Sequence, residues 1–298
     1  RCEESCPLSM PTPQMILKMR EDKAETEGNG LIKDSVFHIL GSNALSPLMK
    51  AGRAVQGLPF KQEKNNSATL RFDISKLIPG TPKDRLLPSL AKQSFAEIIK
   101  NKSPLKHPKG HVAVFGGCMV NYAYPQLGLD LFDVLTANQI AVHHYEQEAC
   151  CRLPAIMSGD TKEATRMAIE NVNLFSSEDF VYLLFLCPSC ATTVKEKWET
   201  LIQNTNDAAL IQKYRTIQNK VMDASDYLVN VLQIIPPQLP EPVSVTWHDP
   251  CHLVRGLGIS KEPRQLLRQM GAAFIEMDEP NSCCGFGGSF SLFHYDVS

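Results

Sequence analysis

The chain has 298 residues, of which 43% are hydrophobic and 21% are charged, and its 32 acidic and 30 basic side chains give a net charge of −2. This balance is typical of a folded protein of about two domains, and it argues against a disordered chain and against a basic nucleic-acid-binding domain. The longest apolar run covers residues 180–187, far short of the ~20 residues that a membrane-spanning helix needs.

The first informative feature is a pair of cysteines at the start of the chain. Cys2 and Cys6 lie in the sequence RCEESCP, which ends in the Cys-x-x-x-Cys-Pro pattern of bacterial ferredoxins. Two cysteines four residues apart can also simply share one face of a helix. The pattern predicts that residues 1–30 are the C-terminal remnant of a ferredoxin domain and, because no Met opens the chain, that further cysteines precede Arg1.

Residues 31–110 are expected to form a mainly helical linking region. Apolar residues recur at helical spacing over 32–41 and 47–56, whereas proline and glycine interrupt the chain at 79–82 and 104–110. These helices either cover the domain that follows or contact a membrane surface or a partner subunit. Hydrophobic spacing alone does not distinguish the two, and the covering role is the simpler prediction.

The next region alternates between apolar runs and helical patterns. Strands that alternate with helices favour a parallel sheet in an α/β fold. In such sheets, ligands gather beyond the carboxyl ends of the strands, and one group of cysteines follows each predicted strand. The predicted strands are 111–115, 140–145 and 180–186, the predicted helices are 125–138, 161–175 and 191–202, and the cysteines are Cys118, the pair Cys150 and Cys151, and the pair Cys187 and Cys190.

The cysteine spacing then repeats. A second set lies 133 residues after the first, and three coincident offsets indicate an internal duplication. A proline-rich linker at 236–242 separates the copies, and the second copy is predicted to have strands at 243–247 and 273–277 with a helix at 261–270. The repeated positions are Cys251 after Cys118, Cys283 after Cys150, and Cys284 after Cys151.

These patterns divide the cysteine-rich part into a first module at residues 111–235 and a second module at residues 236–298. In the second copy, the counterpart of the Cys187 and Cys190 pair would fall near position 320, beyond Ser298. We therefore expect that the sequence is a fragment cut inside its second module.

Ten cysteines admit three explanations. A disulfide framework is disfavoured, because adjacent Cys-Cys pairs and the lack of a visible secretion signal argue against it. A zinc ion takes four ligands, and a full module offers five thiols, which overfills a tetrahedral site. Five soft sulfur ligands match a polynuclear iron–sulfur cluster best.

The pattern Cys-x31-Cys-Cys-x35-Cys-x-x-Cys, with HDPCHL at 248–253 and CCGFGGSF at 283–290, resembles the cysteine-rich CCG-domain family. That family includes heterodisulfide reductase catalytic subunits and the iron–sulfur subunits of glycolate and lactate dehydrogenases. The resemblance implies clusters of the 4Fe-4S type. The implied ligands are Cys118, Cys150, Cys151, Cys187 and Cys190 for one site, Cys251, Cys283 and Cys284 for the start of a second, and Cys2 and Cys6 for the ferredoxin remnant.

The same resemblance implies an electron-transfer subunit of an oxidoreductase complex. A flavoprotein partner, which carries the flavin, would oxidise a 2-hydroxy acid such as lactate or glycolate, and the electrons would pass on to quinone or a membrane-bound acceptor. We expect a cytoplasmic protein that reaches the membrane only through its partners and binds no nucleic acid. Two alternatives remain open, a thiol–disulfide reductase of the heterodisulfide reductase type and a zinc-stabilised interaction protein.

The first module departs from the family pattern at one position. Arg152 follows the first Cys-Cys pair where the family has glycine, whereas Gly285 follows the second pair. Glycine permits positive φ and close approach of the backbone to a cluster. Arg152 either places a cation beside the thiolates, which would raise the cluster potential, or marks a site that binds differently.

Several histidines lie near the cysteines. His248, Asp249 and His252 flank Cys251 and either donate hydrogen bonds to cluster sulfur and move protons or shape a turn and pack in the interior. The pair at positions 143 and 144 ends a predicted strand and is expected to be structural.

Overall fold

The computed structural model describes residues 6–8, 10–30, 35, 38, 45–64, 66–72, 86–148, 150–177, 179–288, 291 and 297. The predicted breaker at 79–82 lies outside these residues, as does the predicted helix at 32–41 apart from residues 35 and 38. The other predicted elements lie within them and can be compared with the structure.

The N-terminal region combines helices with a small antiparallel sheet of order β1-β2-β3. The helix predicted at 47–56 is confirmed as α2. The prediction of a mainly helical region was incomplete, because it did not include the sheet, whose strands of two to four residues are too short to show alternation in sequence. The elements are α1 (Thr12–Glu27), α2 (Leu45–Val55), β1 (Phe60–Gln62), β2 (Ser67–Leu70), β3 (Leu87–Pro88) and α3 (Phe95–Ile99).

A four-stranded parallel sheet of order β5-β4-β6-β7 forms the centre of the first module. This confirms the predicted α/β class and its three strands, although β5 and β6 are shorter than predicted, and β7 was not predicted. The strands are β4 (Gly110–Phe115), β5 (Ile140–His143), β6 (Tyr182–Phe185) and β7 (Val221–Asp223).

Both faces of this sheet are buried. Along β4, Ala113 and Phe115 belong to one apolar cluster, while Val112 and Val114 belong to another. Because successive side chains of a strand point to opposite faces, the two clusters lie on opposite sides of the sheet. A continuous apolar run such as HVAVF is typical of a strand covered on both faces.

Helices cover the sheet on both sides. The predicted helices at 125–138 and 161–175 are confirmed, while the one at 191–202 begins earlier, at Pro188, and contains a π-helical turn (Thr193–Lys197). No helix in the described part of the chain is long and apolar enough to cross a membrane. The helices are α4 (Gly117–Tyr122), α5 (Pro125–Ala137), α6 (Leu153–Ser158), α7 (Thr161–Phe175), α8 (Pro188–Thr192), α9 (Trp198–Gln203), α10 (Ala208–Lys220) and α11 (Ala224–Asp226).

The second module repeats the start of the first. Strands β8 (Ser244–Val245) and β9 (Ala273–Phe274) pair in parallel, with helix α12 (Lys261–Gln269) between them in the chain. The first module joins β4 to β5 through α5 in the same way. The predicted strands are shorter in the structure, but their order and direction agree with an internal duplication.

Candidate metal centre

The carboxyl ends of three adjacent strands bring the cysteines of the first module to one edge of the sheet. Cys118 follows β4, the Cys150 and Cys151 pair follows β5, and the Cys187 and Cys190 pair follows β6. Because β4 lies between β5 and β6 in the sheet, the three segments are neighbours although they span more than 70 residues of sequence.

The five thiols form a chain of hydrogen-bonded neighbours. Cys118 contacts Cys150, Cys150 contacts Cys151, Cys151 contacts Cys190, and Cys190 contacts Cys187. The thiols of Cys150, Cys151 and Cys190 are buried, whereas Cys118 and Cys187 are half-buried, and none of the five is in a disulfide. The structure therefore brings together all five residues that the sequence proposed for the first site.

The thiols differ in how readily they ionise. Hydrogen bonds from Cys118 and Cys151 lower the pKa of Cys150 well below its usual range, and the hydrogen bond from Cys190 lowers the pKa of Cys187 to about 6. The same hydrogen bonds, together with burial, raise the pKa values of the donor thiols. Thiolates are the form that binds metals and attacks disulfides.

The start of α4 approaches these sulfur atoms closely. Gly117 has φ +55°, and a Cβ placed there would lie 3.2 Å from the ring of Phe115 and 3.4 Å from Cys190 Sγ. Glycine is favoured where the backbone has positive φ and little room. Its small size lets the Cys118 segment pack against the Cys190 sulfur.

Hydrogen bonds of Glu148 connect the Cys118 segment to the segment before Cys150. Its carboxylate accepts hydrogen bonds from the backbone N–H of Gly116 at 3.1 Å and of Gly117 at 2.5 Å. Burial raises the pKa of Glu148 to about 8, although these two hydrogen bonds oppose the effect. Glu148 was not predicted as a site residue, and its place two residues before the cysteine pair was the one available signal.

Arg152 directly follows the cysteine pair and has its backbone in the left-handed region, at φ 66°. Its side chain is buried, its backbone N–H lies 3.5 Å from Cys150 Sγ, and its guanidinium Nη2 lies 3.0 Å from Glu163 Oε1. In the second module, Gly285 has φ 75°. The arginine therefore adopts the backbone conformation that the family pattern assigns to glycine.

The cysteine segments of the second module are joined by different contacts. His248 Nε2 donates to the carbonyl oxygen of Ser282 at 2.9 Å, and the N–H of Asp249 donates to the carbonyl of Pro280 at 2.7 Å. These bonds connect the turn before Cys251 to the loop before Cys283. Cys251 is half-buried, whereas Cys283 and Cys284 are exposed.

A buried arginine also anchors the turn before Cys251. Arg264 on α12 binds both carboxylate oxygens of Asp249, at 2.7 and 3.0 Å, and both carboxylate oxygens of Glu276, at 2.8 and 2.7 Å. Asp249 is thus a partner of Arg264 and supports the interpretation that this residue shapes the turn. Arg264 was not predicted from the sequence as part of the site.

The histidines predicted to be structural make structural contacts. His144 packs edge-on against Phe95, and burial lowers its pKa. His143 Nε2 lies 3.3 Å from His111 Nδ1 on the neighbouring strand. Neither histidine is placed by these contacts among the cysteines.

The N-terminal cysteines are only partly described. Cys6 is half-buried shortly before α1, and Cys2 lies outside the described residues. In the part of the chain that the structure covers, no three histidine, cysteine or carboxylate side chains are placed to hold a metal ion. The five thiols of the first module contact one another in a row instead. They resemble a metal centre in the chemistry of their donor atoms and in their closeness to one another.

Comparisons with known proteins identify the family to which both modules are similar. The family model of the cysteine-rich domain, CCG, matches residues 112–195 and again residues 245–298. The two matches agree with the duplication seen in the cysteine spacing and in the paired strands.

Similar proteins include an uncharacterized iron–sulfur protein of Methanococcus maripaludis, 33% identical over 198 residues, which are 66% of this chain and 36% of the relative. One of the subunits of a fumarate reductase (CoM/CoB) of Methanothermobacter marburgensis is 30% identical over 190 residues, 61% of this chain and 34% of the relative. Lactate utilization protein A of Bacillus subtilis is 31% identical over 191 residues, 63% of this chain and 77% of the relative. The matched part spans about a third of the first two relatives.

Proposed function

This chain belongs to the family of cysteine-rich CCG-domain proteins, and from that premise we propose that it binds iron–sulfur clusters and transfers electrons within an oxidoreductase. The observation that carries the proposal is the row of five contacting thiols at one edge of the sheet. Relatives described as iron–sulfur proteins support it.

The residues of the first module fit such a cluster by the chemistry of their donors. Thiolate sulfur is the usual ligand of iron–sulfur clusters, and five thiols exceed the four ligands of a zinc ion. When bound, a cluster would accept and release single electrons. Glu148 and Gly117 would orient the cysteine segments, the backbone N–H of Arg152 would donate to sulfur, and the buried surroundings would exclude water. The proposed ligands are Cys118, Cys150, Cys151, Cys187 and Cys190.

We extend the proposal to the rest of the chain. A second site would involve Cys251, Cys283 and Cys284, and Cys2 and Cys6 would belong to a ferredoxin domain of which residues 1–30 are the end. Residues 31–110 would link that domain to the first module at 111–235, and the second module would begin at 236. The contacts between the turn before Cys251 and the loop before Cys283 support the second site.

The electron donor in this proposal is a flavoprotein that oxidises a 2-hydroxy acid, lactate or glycolate, and the acceptor is quinone or a membrane-bound protein. Relatives named lactate utilization protein A support this choice. A hydroxy acid would give two electrons to the flavin of the partner, and the flavin would pass them one at a time to the clusters, each of which accepts a single electron.

The proposal is tested by anaerobic purification and by measurement of iron, acid-labile sulfide and zinc. We expect iron and sulfide in the native chain and a marked loss of both from the first site in Cys151→Ser and Cys187→Ser. Met119→Leu is the matched control, because Met119 is an exposed sulfur-containing side chain next to Cys118. Zinc without sulfide would overturn the redox proposal, and cysteine variants that keep full iron would overturn the ligand assignment.

A thiol–disulfide reductase is the second candidate. The Cys187 and Cys190 pair favours it, since Cys187 is half-buried and holds the more ionised thiol of a Cys-x-x-Cys motif. The two functions differ in their substrates. Reduction of the iron-loaded protein by a hydroxy acid and a flavoprotein supports electron transfer, whereas cleavage of an added organic disulfide by the reduced protein alone supports the reductase.

A further inference from the structure

The two modules differ in the residue that follows their adjacent cysteines. Arg152 in the first module and Gly285 in the second both have positive φ, 66° and 75°. Glycine adopts this conformation without steric cost, whereas any other residue is strained there. A strained residue persists only where its surroundings hold it in place. The contacts of Arg152 with its neighbours must therefore stabilise this backbone conformation.

The side chain of Arg152 brings a positive charge into the interior. It is 1% exposed, and its Nη2 is paired with Glu163 Oε1 at 3.0 Å. Its Nε is buried and has no hydrogen-bond partner among the described residues. A buried charge is costly unless it is paired, and within the described part of the chain Glu163 is the carboxylate that pairs with this guanidinium.

The counter-charge of Arg152 is shared with a second arginine. Arg166 Nη2 lies 2.6 Å from the same Glu163 oxygen, and the hydrogen bond from Arg166 lowers the pKa of Glu163. Glu163 therefore remains a carboxylate, but Arg152 is not its sole partner. Arg166 is 43% exposed at its side chain, so water screens its charge, whereas the side chain of Arg152, the residue after the cysteine pair, is enclosed and its charge is screened much less.

We propose that Arg152 supplies a fixed positive charge to the first cysteine site and makes a cluster held there easier to reduce than it would be without that charge. This rests on the proposed function, because it concerns the clusters that the cysteines would hold. Arg152 acts through its charge and is not a ligand. The second site has Gly285 at the matching position and lacks this charge, so the two sites on one chain would differ in midpoint potential.

The test compares variants that separate charge from volume. Arg152→Gln removes the charge and keeps most of the volume, and Arg152→Lys keeps the charge. Arg152→Gly removes the charge, relieves the backbone strain and keeps the N–H that faces Cys150 Sγ, so it covers the case in which the glutamine variant does not fold. Arg166→Gln is the matched control, since it removes an exposed arginine from the same glutamate.

The main measurement is the midpoint potential of the first-site cluster, followed by electron paramagnetic resonance in the purified protein. We expect Arg152→Gln and Arg152→Gly to disfavour reduction about tenfold, which is about 59 mV for one electron. Arg152→Lys should stay near the native value, as should Arg166→Gln. Equal shifts in the lysine and glutamine variants, or no shift in either charge-removing variant, would overturn the proposal.

A second measurement needs no cluster. In the iron-free chain, alkylation of Cys150 by the neutral reagent iodoacetamide is followed over a range of pH, because burial slows the reaction at every pH but does not move the midpoint of its pH dependence. That midpoint should lie at higher pH in Arg152→Gln than in the native protein and return in Arg152→Lys, and an unchanged midpoint in the glutamine variant would contradict the charge assignment. If the native chain binds no iron, the proposed function fails and the effect of Arg152 on reduction fails with it, and only its charge effect on the Cys150 thiol remains.

Discussion

The Oγ of Ser189 lies 2.9 Å from Nδ1 of His252. Ser189 stands between Cys187 and Cys190 in the first module, and His252 follows Cys251 in the second. The hydroxyl of Thr192 donates a further hydrogen bond to the carbonyl of His252 at 3.1 Å. The cysteine segments of the two modules are therefore in direct contact, although the linker and much of the first module separate them in sequence.

The contact between the modules leaves no room for a larger residue at Gly256. A Cβ at Gly256 would overlap the side chain of Thr192, with Cγ2 at only 2.7 Å. We expect Gly256→Ala to lower the free energy of unfolding by about 1–3 kcal/mol, the usual cost of overpacking. Urea denaturation measures the change, and Gly57→Ala, where a Cβ meets nothing within 4 Å, is the control.

The same contact can be tested by a compensating change. Adding Thr192→Ala to Gly256→Ala removes the overlapping Oγ1 and Cγ2 atoms and should recover part of the lost stability, since neighbouring substitutions couple. A double variant whose destabilisation equals the sum of the two single ones would show that these side chains do not meet.

Arg264 should be essential for the stability of the second module. Its loss would leave the buried carboxylate of Asp249 without its partner, and breaking a buried ion pair in this way costs about 3–5 kcal/mol. We expect Arg264→Met to destabilise the chain by that amount in urea denaturation. Arg268→Met on the same helix is the control, because Arg268 stacks on the ring of Phe274 and, among the described residues, Arg264 rather than Arg268 is the ion-pair partner of Asp249. Equal effects would contradict the anchoring role.

Glu148 should matter for the first site through the two N–H groups that it binds. Glu148→Ala leaves the amides of Gly116 and Gly117 without this acceptor, and an unsatisfied buried polar group costs about 1–3 kcal/mol. We expect lower stability and lower iron content at the first site, with a smaller effect for Glu148→Gln, which keeps one acceptor oxygen. Iron analysis measures the iron content, and thermal unfolding measures the stability. Equal effects of the alanine and glutamine variants would show that Glu148 does not act through these two hydrogen bonds.

Glu97 should make stability depend on pH in the acid range. Burial disfavours its charged form, but hydrogen bonds from the Ser94 backbone, Arg53 and Lys50 outweigh that and lower its pKa to about 2. A carboxyl whose pKa is lower in the folded state stabilises the protein above its unfolded pKa, ordinarily 4.5, and this stabilisation is lost as pH falls from about 4.5 to about 2.

We therefore expect Glu97→Gln to be less stable than the native chain by about 1–2 kcal/mol near neutral pH, after allowance for solvent screening. The difference should shrink as the pH falls through that range. Urea denaturation at several pH values provides the measurement. A difference that stays constant down to pH ~2 would show that Glu97 does not gain its stability from being ionised.

Much of the first module could be predicted from its sequence. The runs around Val114 and Leu184 are apolar throughout, because each strand is buried on both faces, and the helix at Thr161–Phe175 has regular apolar spacing and the N-cap Asp160. Strand β7 was missed because its three residues carry too little pattern. The π-helical turn after α8 was missed because local sequence does not encode such a turn.

The sequence alone determined which cysteines gather at one edge of the first sheet and that the module is duplicated, because cysteine spacing and the alternation of strands and helices are local properties of the chain. Only the tertiary structure decided how the site is built. Three side-chain hydrogen bonds join segments that lie 15 to 63 residues apart in sequence. They connect Glu148 to Gly117, Arg264 to Asp249, and Ser189 to His252. The partners in these hydrogen bonds depend on which surfaces pack together. A single sequence has no periodic pattern from which such partners could be predicted.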